Sequence, residues 1–289
     1  MNFSFFFFFL LLQYSQNEYV LKAQQTPNQF PTNDEADSLF KVWWLHIPKT
    51  GTSIINTIAR FCCSRIPESM KVPHDSDAKG WLARQRKMMS RYHLKPLEDK
   101  CKIVAQVHEP FSYSSDPDFW ITFVRDPRIR LRSAYQYKML TPGLNASMKE
   151  KLQATVSNLV DFSVFPGVKG CQTKMFTGYQ CSDHTANISI SSVLEARRVM
   201  SQYFAFIGIT DRWIESICLF HAMYGGKIRP VEIENVRPSP TTRFYSSSEF
   251  DLISDPFDQM VYQFGLYWFE EQLIIHRESV QNCVHQSSA

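Results

Sequence analysis

Residues 48–53, PKTGTS, combine side chains that suit the binding of phosphate or sulfate. Lys49 carries a positive charge, and Gly51 lets the backbone approach an anion closely. A turn of this kind that leads into a helix also presents backbone N–H groups and the positive end of the helix dipole. The segment is not a Walker A loop, in which the lysine follows the last glycine. We therefore predict an anion-binding loop, with an ordinary strand-to-helix turn as the alternative. Three hydroxyl groups would add hydrogen-bond donors, those of Thr50, Thr52 and Ser53.

Two further side chains with useful chemistry follow apolar runs of the sequence. His108 comes directly after residues 102–107, and Arg125 comes directly after residues 119–124. A histidine, with its ordinary pKa of about 6.5, can accept the proton of an attacking hydroxyl group. The planar fork of an arginine matches the oxygens of a phosphate. His108 is therefore the candidate general base, with Glu109 as the alternative, and Arg125 is a candidate anion ligand.

Strand and helix patterns alternate along the chain, and they bring these side chains to one edge of a sheet. Apolar residues at helical spacing run from Ile54 to Phe61, and Asp126 before Pro127 predicts a helix N-cap. Alternating strands and helices predict a mostly parallel sheet, whose ligands bind at the carboxyl ends of the strands. His46 falls inside the first strand, which gives it a structural role. The predicted strands are residues 42–47, 102–107, 119–124, 204–209 and 230–234, and later helices are expected from Trp213 and from Pro256.

The composition is that of a folded chain. Of 289 residues, 44% are hydrophobic and 20% are charged, which excludes a largely disordered or collagen-like protein. The net charge of +3 is too small to indicate a nucleic-acid-binding protein. Residues 60–102 nevertheless hold 11 Lys and Arg against 5 Asp and Glu. We interpret this basic segment as a solvated surface or, beside an anion site, as a contact for an acidic acceptor.

The N-terminus predicts entry into the secretory pathway. The apolar residues 5–12 would form a helix about 12 Å long, too short for a bilayer core of about 30 Å. Their length suits the core of a signal peptide. Residues 1–20 are thus predicted to be a signal peptide or a short signal-anchor, so membrane association is expected at most through the N-terminus. Polar residues 21–38 are predicted to be a flexible stem, residues 39–277 one domain, and residues 278–289 a C-terminal tail.

The cysteines and sequons fit the same compartment. In an oxidising lumen Cys171 and Cys181 could close a short loop, with buried free thiols as the alternative. None of the seven cysteines has a partner at zinc-site spacing, so no metal site is predicted. The triplets Asn145-Ala-Ser and Asn187-Ile-Ser, in stretches that look like loops, are acceptor sites for N-glycosylation.

Two motifs together resemble a known family. Residues 46–53, HIPKTGTS, are similar to the 5′-phosphosulfate loop of sulfotransferases of the Golgi carbohydrate branch, which use 3′-phosphoadenylyl sulfate (PAPS). Residues 123–135, FVRDPRIRLRSAY, resemble the family's 3′-phosphate motif, in which an arginine after a strand and a serine eight residues later hold the phosphate. These positions correspond to Arg125 and Ser133. Weaker matches at residues 207–211 and 258–269 extend the resemblance over most of the chain.

The resemblance implies a fold and a reaction. The fold would be a P-loop NTPase-like three-layer α/β sandwich with a mostly parallel central sheet. The reaction would be in-line transfer of a sulfuryl group from PAPS to a carbohydrate hydroxyl, in the Golgi lumen or at the Golgi membrane. Residues 49–53, Arg125 and Ser133 would bind PAPS, Lys49 and His108 would act in catalysis, and no metal would be required.

Other interpretations stay open at this stage. Asn235 and Arg237, after the last predicted strand, are expected to approach the nucleotide. The acceptor would be a glycan, and an acidic one would suit the basic segment. A nucleotide or sugar kinase of the same fold is one alternative, although it would need Mg²⁺ and a lysine after the glycine. A catalytically inactive lumenal binding protein that keeps the anion loop is the other.

Overall fold

The structure, a computed structural model, describes residues 40–62, 101–113, 119–234 and 251–287. They belong to one compact unit that begins at Leu39. The predicted signal segment and stem lie outside the described residues, as do most of the basic segment, Asn235 and Arg237. Within the described ranges, no helix combines the length and the apolar character needed to cross a membrane.

Four parallel strands form the sheet, in the order β2-β1-β3-β4. The register pairs His46 with Val107 and Val124 with Ile209, so the carboxyl ends of the strands lie along one edge. This confirms the predicted α/β class, the parallel sheet and four of the five predicted strands. The strands are β1 (Phe40–His46), β2 (Cys101–Val107), β3 (Phe119–Val124) and β4 (Phe204–Ile209).

Helices connect and flank the strands. After β1 a short 3₁₀ turn, Thr52–Ile54, leads directly into α1. The predicted cap of α2 is confirmed, because the Asp126 carboxylate accepts hydrogen bonds from the N–H groups of Arg128 and Ile129. The helices of the described residues are α1 (Ile55–Cys62), α2 (Pro127–Gln136), α3 (Ala146–Thr155), α4 (Leu159–Val164), α5 (Cys171–Phe176), α6 (Ile190–Tyr203), α7 (Trp213–Tyr224), α8 (Pro230–Ile233), α9 (Pro256–Ile275) and α10 (Arg277–Ser287).

The fifth predicted strand, residues 230–234, is wrong. The segment is the short helix α8, with Pro230 at its first position. Proline suits that position because its missing N–H would have no partner there, whereas in a strand it would remove a ladder hydrogen bond. The N–H of Glu232 donates to the carbonyl of Arg229 at 2.9 Å, which closes the turn. Four apolar and acidic residues alone do not distinguish a strand from a single helical turn.

The sheet is buried beneath its helices. Trp44, Trp120 and Phe206 on three different strands have essentially no exposed surface. Helix α9 packs against β4 and α6. A Cβ atom at Gly265 of α9 would lie 2.7 Å from Cγ2 of Val124, so the helix backbone rests on the last residue of β3. This close approach places the middle of α9 at the edge of the sheet where the candidate site lies.

Two disulfides join parts of the chain that the structure describes. Of the two alternatives for Cys171 and Cys181, the bridge is present, and it ties the first residue of α5 to the loop that follows that helix. A second bridge, Cys218–Cys283, joins α7 to α10. The pattern of the sequence predicted a C-terminal tail over residues 278–289. Residues 278–287 are instead part of a helix that is covalently attached to the domain. Val280 of this helix is buried, which gives α10 an apolar contact as well.

Candidate functional site

The loop after β1 is wound tightly around Gly51. Its first turn is closed by the hydroxyl of Thr50, which donates to the carbonyl of Ile47 at 2.8 Å. Lys49 and Gly51 both have left-handed backbone angles, with φ of 68° and 112°. A Cβ atom at Gly51 would lie 2.9 Å from Cζ3 of Trp213, so only glycine fits beneath that indole ring. The loop therefore has the predicted strand–turn–helix form, with α7 packed against it.

The hydroxyl groups of the loop divide into two sets. Thr50 is buried, and its hydroxyl stabilises the turn rather than facing a ligand. Thr52 is partly exposed, and its Oγ1 lies 3.1 Å from Nε2 of His46. Thr52 and Ser53 begin the helical run, where backbone N–H groups have no partner within the helix. The donors that the loop offers to an anion are therefore mainly these N–H groups, together with Lys49.

His108 lies beside the loop because of the strand register. Val107 pairs with His46 across β1 and β2, so the residue after Val107 meets the start of the loop. The ring centroids of His46 and His108 are 4.7 Å apart. The ring of Trp44 stacks on that of His46, with 4.4 Å between the centroids. His46 thus contacts both Thr52 and His108. The purely structural role predicted for His46 included neither contact. Glu109, the alternative base, is exposed and accepts a hydrogen bond from Gln180 at 2.8 Å.

Arg125 connects the second motif to the loop. Its Nη1 donates to the carbonyl oxygen of Lys49 at 3.3 Å, and its Nε donates to Oδ1 of Asp211 at 3.2 Å. The remaining terminal nitrogen, Nη2, has no hydrogen-bond partner within the described residues, and 22% of the side chain is exposed. The guanidinium is therefore oriented from two sides, with one nitrogen left for a ligand.

The electrostatics around Arg125 favour an anion. Burial has the largest effect and lowers the pKa of Arg125 below its ordinary value, whereas Asp211 raises it. The positive charges of Arg132 and Arg130 add to the lowering. Because arginine stays protonated in proteins, a lowered pKa means that its charge is poorly compensated where it lies. A bound phosphate would supply the missing negative charge.

Lys49 contacts the end of α2, the helix that carries Ser133. The ammonium of Lys49 lies 4.1 Å from the ring centroid of Tyr137, a cation–π contact. The carbonyl of Ser133 accepts a hydrogen bond from the N–H of Tyr137, so the two residues are one helical turn apart. Residues four apart share a helix face, which turns Ser133 toward the side of α2 that Lys49 contacts. Ser133 itself makes no side-chain hydrogen bond to Arg125 in the described part of the chain.

Two contributions to the site were not foreseen. The hydroxyl of Thr210, after β4, donates to the carbonyl of Thr50 at 2.7 Å and thereby holds the loop. The side chain of Gln172, on α5, forms two hydrogen bonds with the backbone of Arg125. Residues 210–211 are a polar pair directly after a strand, the same signal that identified Arg125. Nothing in the local sequence marks Gln172.

The sheet edge therefore collects the loop, His108 and Arg125, as expected for the ends of parallel strands. Within the described ranges, no cluster of three or more His, Cys, Asp or Glu side chains could hold a metal ion. No protein-family model matches this chain, and a search of curated proteins finds no significant match.

Proposed function

We propose that this protein is a sulfotransferase that moves a sulfuryl group from PAPS to a carbohydrate hydroxyl, on a P-loop-type three-layer α/β fold. The observation that carries the proposal is the hydrogen bond from Arg125 to the carbonyl of Lys49. It brings Lys49 of the first motif into contact with Arg125 of the second, 76 residues along the chain. The resemblance assigns the 5′ end of the donor to one motif and the 3′-phosphate to the other.

The residues fit the donor in their chemistry. The N–H groups of Thr52 and Ser53 and the ammonium of Lys49 would hold the 5′-phosphosulfate. The open nitrogen of Arg125 would bind the 3′-phosphate, and the resemblance assigns Ser133 to the same group. PAPS supplies an activated sulfuryl group whose leaving group is a phosphate oxygen.

His108 and Lys49 have the chemical roles in this proposal. His108 removes the proton of the acceptor hydroxyl as its oxygen attacks sulfur, and the bond between sulfur and the bridging phosphate oxygen breaks in line with the attack. Negative charge then develops on the leaving phosphate. Lys49 and the loop N–H groups stabilise that charge, the kind of preorganised electrostatics that usually contributes most to catalysis. His46, in contact with His108 and Thr52, links the base to the loop.

The direct test measures transfer of radiolabelled sulfate from PAPS to a panel of glycans, with and without EDTA. Transfer that survives EDTA supports the proposal, because the reaction needs no divalent cation. Phosphoryl transfer from a nucleoside triphosphate that depends on Mg²⁺ would favour the kinase alternative. Nucleotide binding without any transfer would favour the inactive binding protein. The glycan that accepts label identifies the acceptor class.

Three substitutions separate binding from chemistry. Arg125→Ala should weaken binding of the product nucleotide by about 1.5–3 kcal/mol, the range for a hydrogen bond to a charged group. His108→Ala should lower turnover roughly 10²–10⁴-fold with little change in that affinity. Lys49→Ala should affect both quantities, because it contacts the donor before and during transfer.

The matched control is Arg128→Ala. Arg128 lies three residues beyond Arg125 but pairs with Asp126 at the helix cap, and its side chain is 41% exposed. We expect it to leave nucleotide affinity nearly unchanged. Unchanged affinity in Arg125→Ala would show that the second motif binds no phosphate. Normal turnover in His108→Ala would transfer the role of base to Glu109 or to the acceptor side.

A further inference from the structure

The side chain of Gln172 holds the backbone of Arg125 by a pair of hydrogen bonds. Its Oε1 accepts from the N–H of Arg125 at 3.0 Å, and its Nε2 donates to the carbonyl of the same residue at 2.9 Å. Gln172 has no exposed surface. Strand β3 ends at Val124, so Arg125 has no place in its ladder. The amide of Gln172 supplies the two backbone hydrogen bonds that a neighbouring strand would otherwise make. The position of the Arg125 backbone thus depends on a side chain 47 residues away.

Gln172 is itself held firmly. Its backbone N–H donates to Oδ2 of the buried Asp258 at 2.9 Å. The next residue, Thr173, donates to the other carboxylate oxygen of Asp258 through its N–H and through its hydroxyl. On the other side, Cys171 is bridged to Cys181. The first turn of α5 is therefore anchored on both sides of Gln172, and the amide can act as a fixed support.

Only an amide can make both contacts. A carboxylate offers two acceptors and would set an oxygen against the carbonyl of Arg125, and an aliphatic side chain offers neither group. Because the guanidinium is oriented from the ends of β1 and β4, a shift of the Arg125 backbone would break its alignment with Asp211 and Lys49. Such a shift would weaken the interaction between Arg125 and the ligand group that it binds.

We infer that Gln172 is a positioning residue that sets the preference of this site for nucleotides with a 3′-phosphate. The inference rests on the proposed function and adds a determinant of donor specificity that neither motif contains. Loss of the amide should weaken the contact to the 3′-phosphate and leave the contacts at the 5′ end intact. A purely structural role for Gln172 would instead weaken all ligands alike.

The test compares two ligands by calorimetric titration, adenosine 3′,5′-bisphosphate and adenosine 5′-monophosphate. The measured quantity is the ratio of their dissociation constants in the wild-type protein, Gln172→Leu and Gln172→Glu. We expect the preference for the bisphosphate to fall about tenfold or more in Gln172→Leu, with little change for the monophosphate. Gln172→Glu keeps the acceptor for the N–H of Arg125 but loses the donor to its carbonyl, and it tests the same point if the leucine variant does not fold. Gln272→Leu, at another buried glutamine that makes no hydrogen bond to Arg125, is the control and should keep the wild-type ratio.

Each outcome decides between the two ideas. A wild-type preference that persists in both Gln172 variants overturns this inference and leaves the proposed function intact. Equal weakening of both ligands also overturns it, since Gln172 would then be structural only. A wild-type protein without any preference for the bisphosphate overturns the proposed function and the inference together.

Discussion

Substitution of Gly51 tests whether the loop after β1 is shaped by the indole ring of Trp213. The change Gly51→Ala adds a Cβ atom 2.9 Å from Cζ3 of Trp213, at a residue whose φ is 112°. The left-handed backbone costs a residue with a Cβ about 1–2 kcal/mol. Overpacking against the half-buried ring of Trp213 adds about 1–3 kcal/mol. We therefore expect Gly51→Ala to lower the free energy of unfolding by about 2–5 kcal/mol.

Gly178 provides the matched control. Its φ is 87°, but the nearest heavy atom to an added Cβ is the carbonyl oxygen of Phe111 at 3.7 Å, an ordinary contact. Gly178→Ala should therefore cost only the backbone contribution, about 1–2 kcal/mol. Equilibrium unfolding in urea gives both free energies, and the difference between the two variants isolates the contact with the indole ring.

A double-mutant cycle refines the test. Trp213→Leu removes the ring atom that an added Cβ would meet. In that background Gly51→Ala should cost less than in the wild-type background, by about 1–3 kcal/mol. Equal costs for Gly51→Ala and Gly178→Ala, with no coupling to Trp213, would refute the reasoning that this ring shapes the loop.

Three further predictions concern the disulfides, the pH dependence and the secretory route. Removal of the Cys218–Cys283 bridge, which spans 65 residues, should lower the free energy of unfolding by about 4.3 kcal/mol, because a bridge restricts the unfolded chain more when its loop is longer. The Cys171–Cys181 bridge, with a separation of 10, should contribute about 2.7 kcal/mol. Urea unfolding of the paired Cys→Ser variants would contradict this if the shorter bridge contributed more. Burial, together with the neighbouring carboxylate of Asp258, raises the pKa of Asp255 to about 7. The contribution of Asp255 to the free energy of unfolding is therefore present at low pH and is lost as the pH rises toward 7. Between pH 4 and 8, the free energy of unfolding should decline less for Asp255→Asn than for the wild type. The exposed sequons at Asn145 and Asn187 should carry glycans when the full chain is expressed in eukaryotic cells. A mobility shift on enzymatic deglycosylation would reveal them, and a cytosolic, unmodified chain would refute the prediction.

The local elements of the site followed from the sequence because their interactions are local. The hydroxyl of Thr50 bonds to a carbonyl three residues away, and the Asp126 carboxylate caps α2 through the next two N–H groups. Patterns of apolar residues predicted the strands β1 to β4 for the same reason, since each depends on the spacing of neighbours. Where a short segment carried little pattern, as at residues 230–234, the prediction was wrong.

The arrangement of those elements was decided by the tertiary structure. The sequence by itself determined a strand–turn–helix loop with a lysine and a glycine, and an arginine and a histidine after strands. It left the Cys171–Cys181 bridge open, with free thiols as the alternative. The strand order placed His46 against His108, and helix packing set the indole of Trp213 over Gly51 and brought Gln172 to the backbone of Arg125. The hydroxyl of Thr210 reaches the carbonyl of Thr50 across 160 residues of chain. Contacts at such separations carry no local signal, because their entropic cost is met only when the whole sheet and its helices form together.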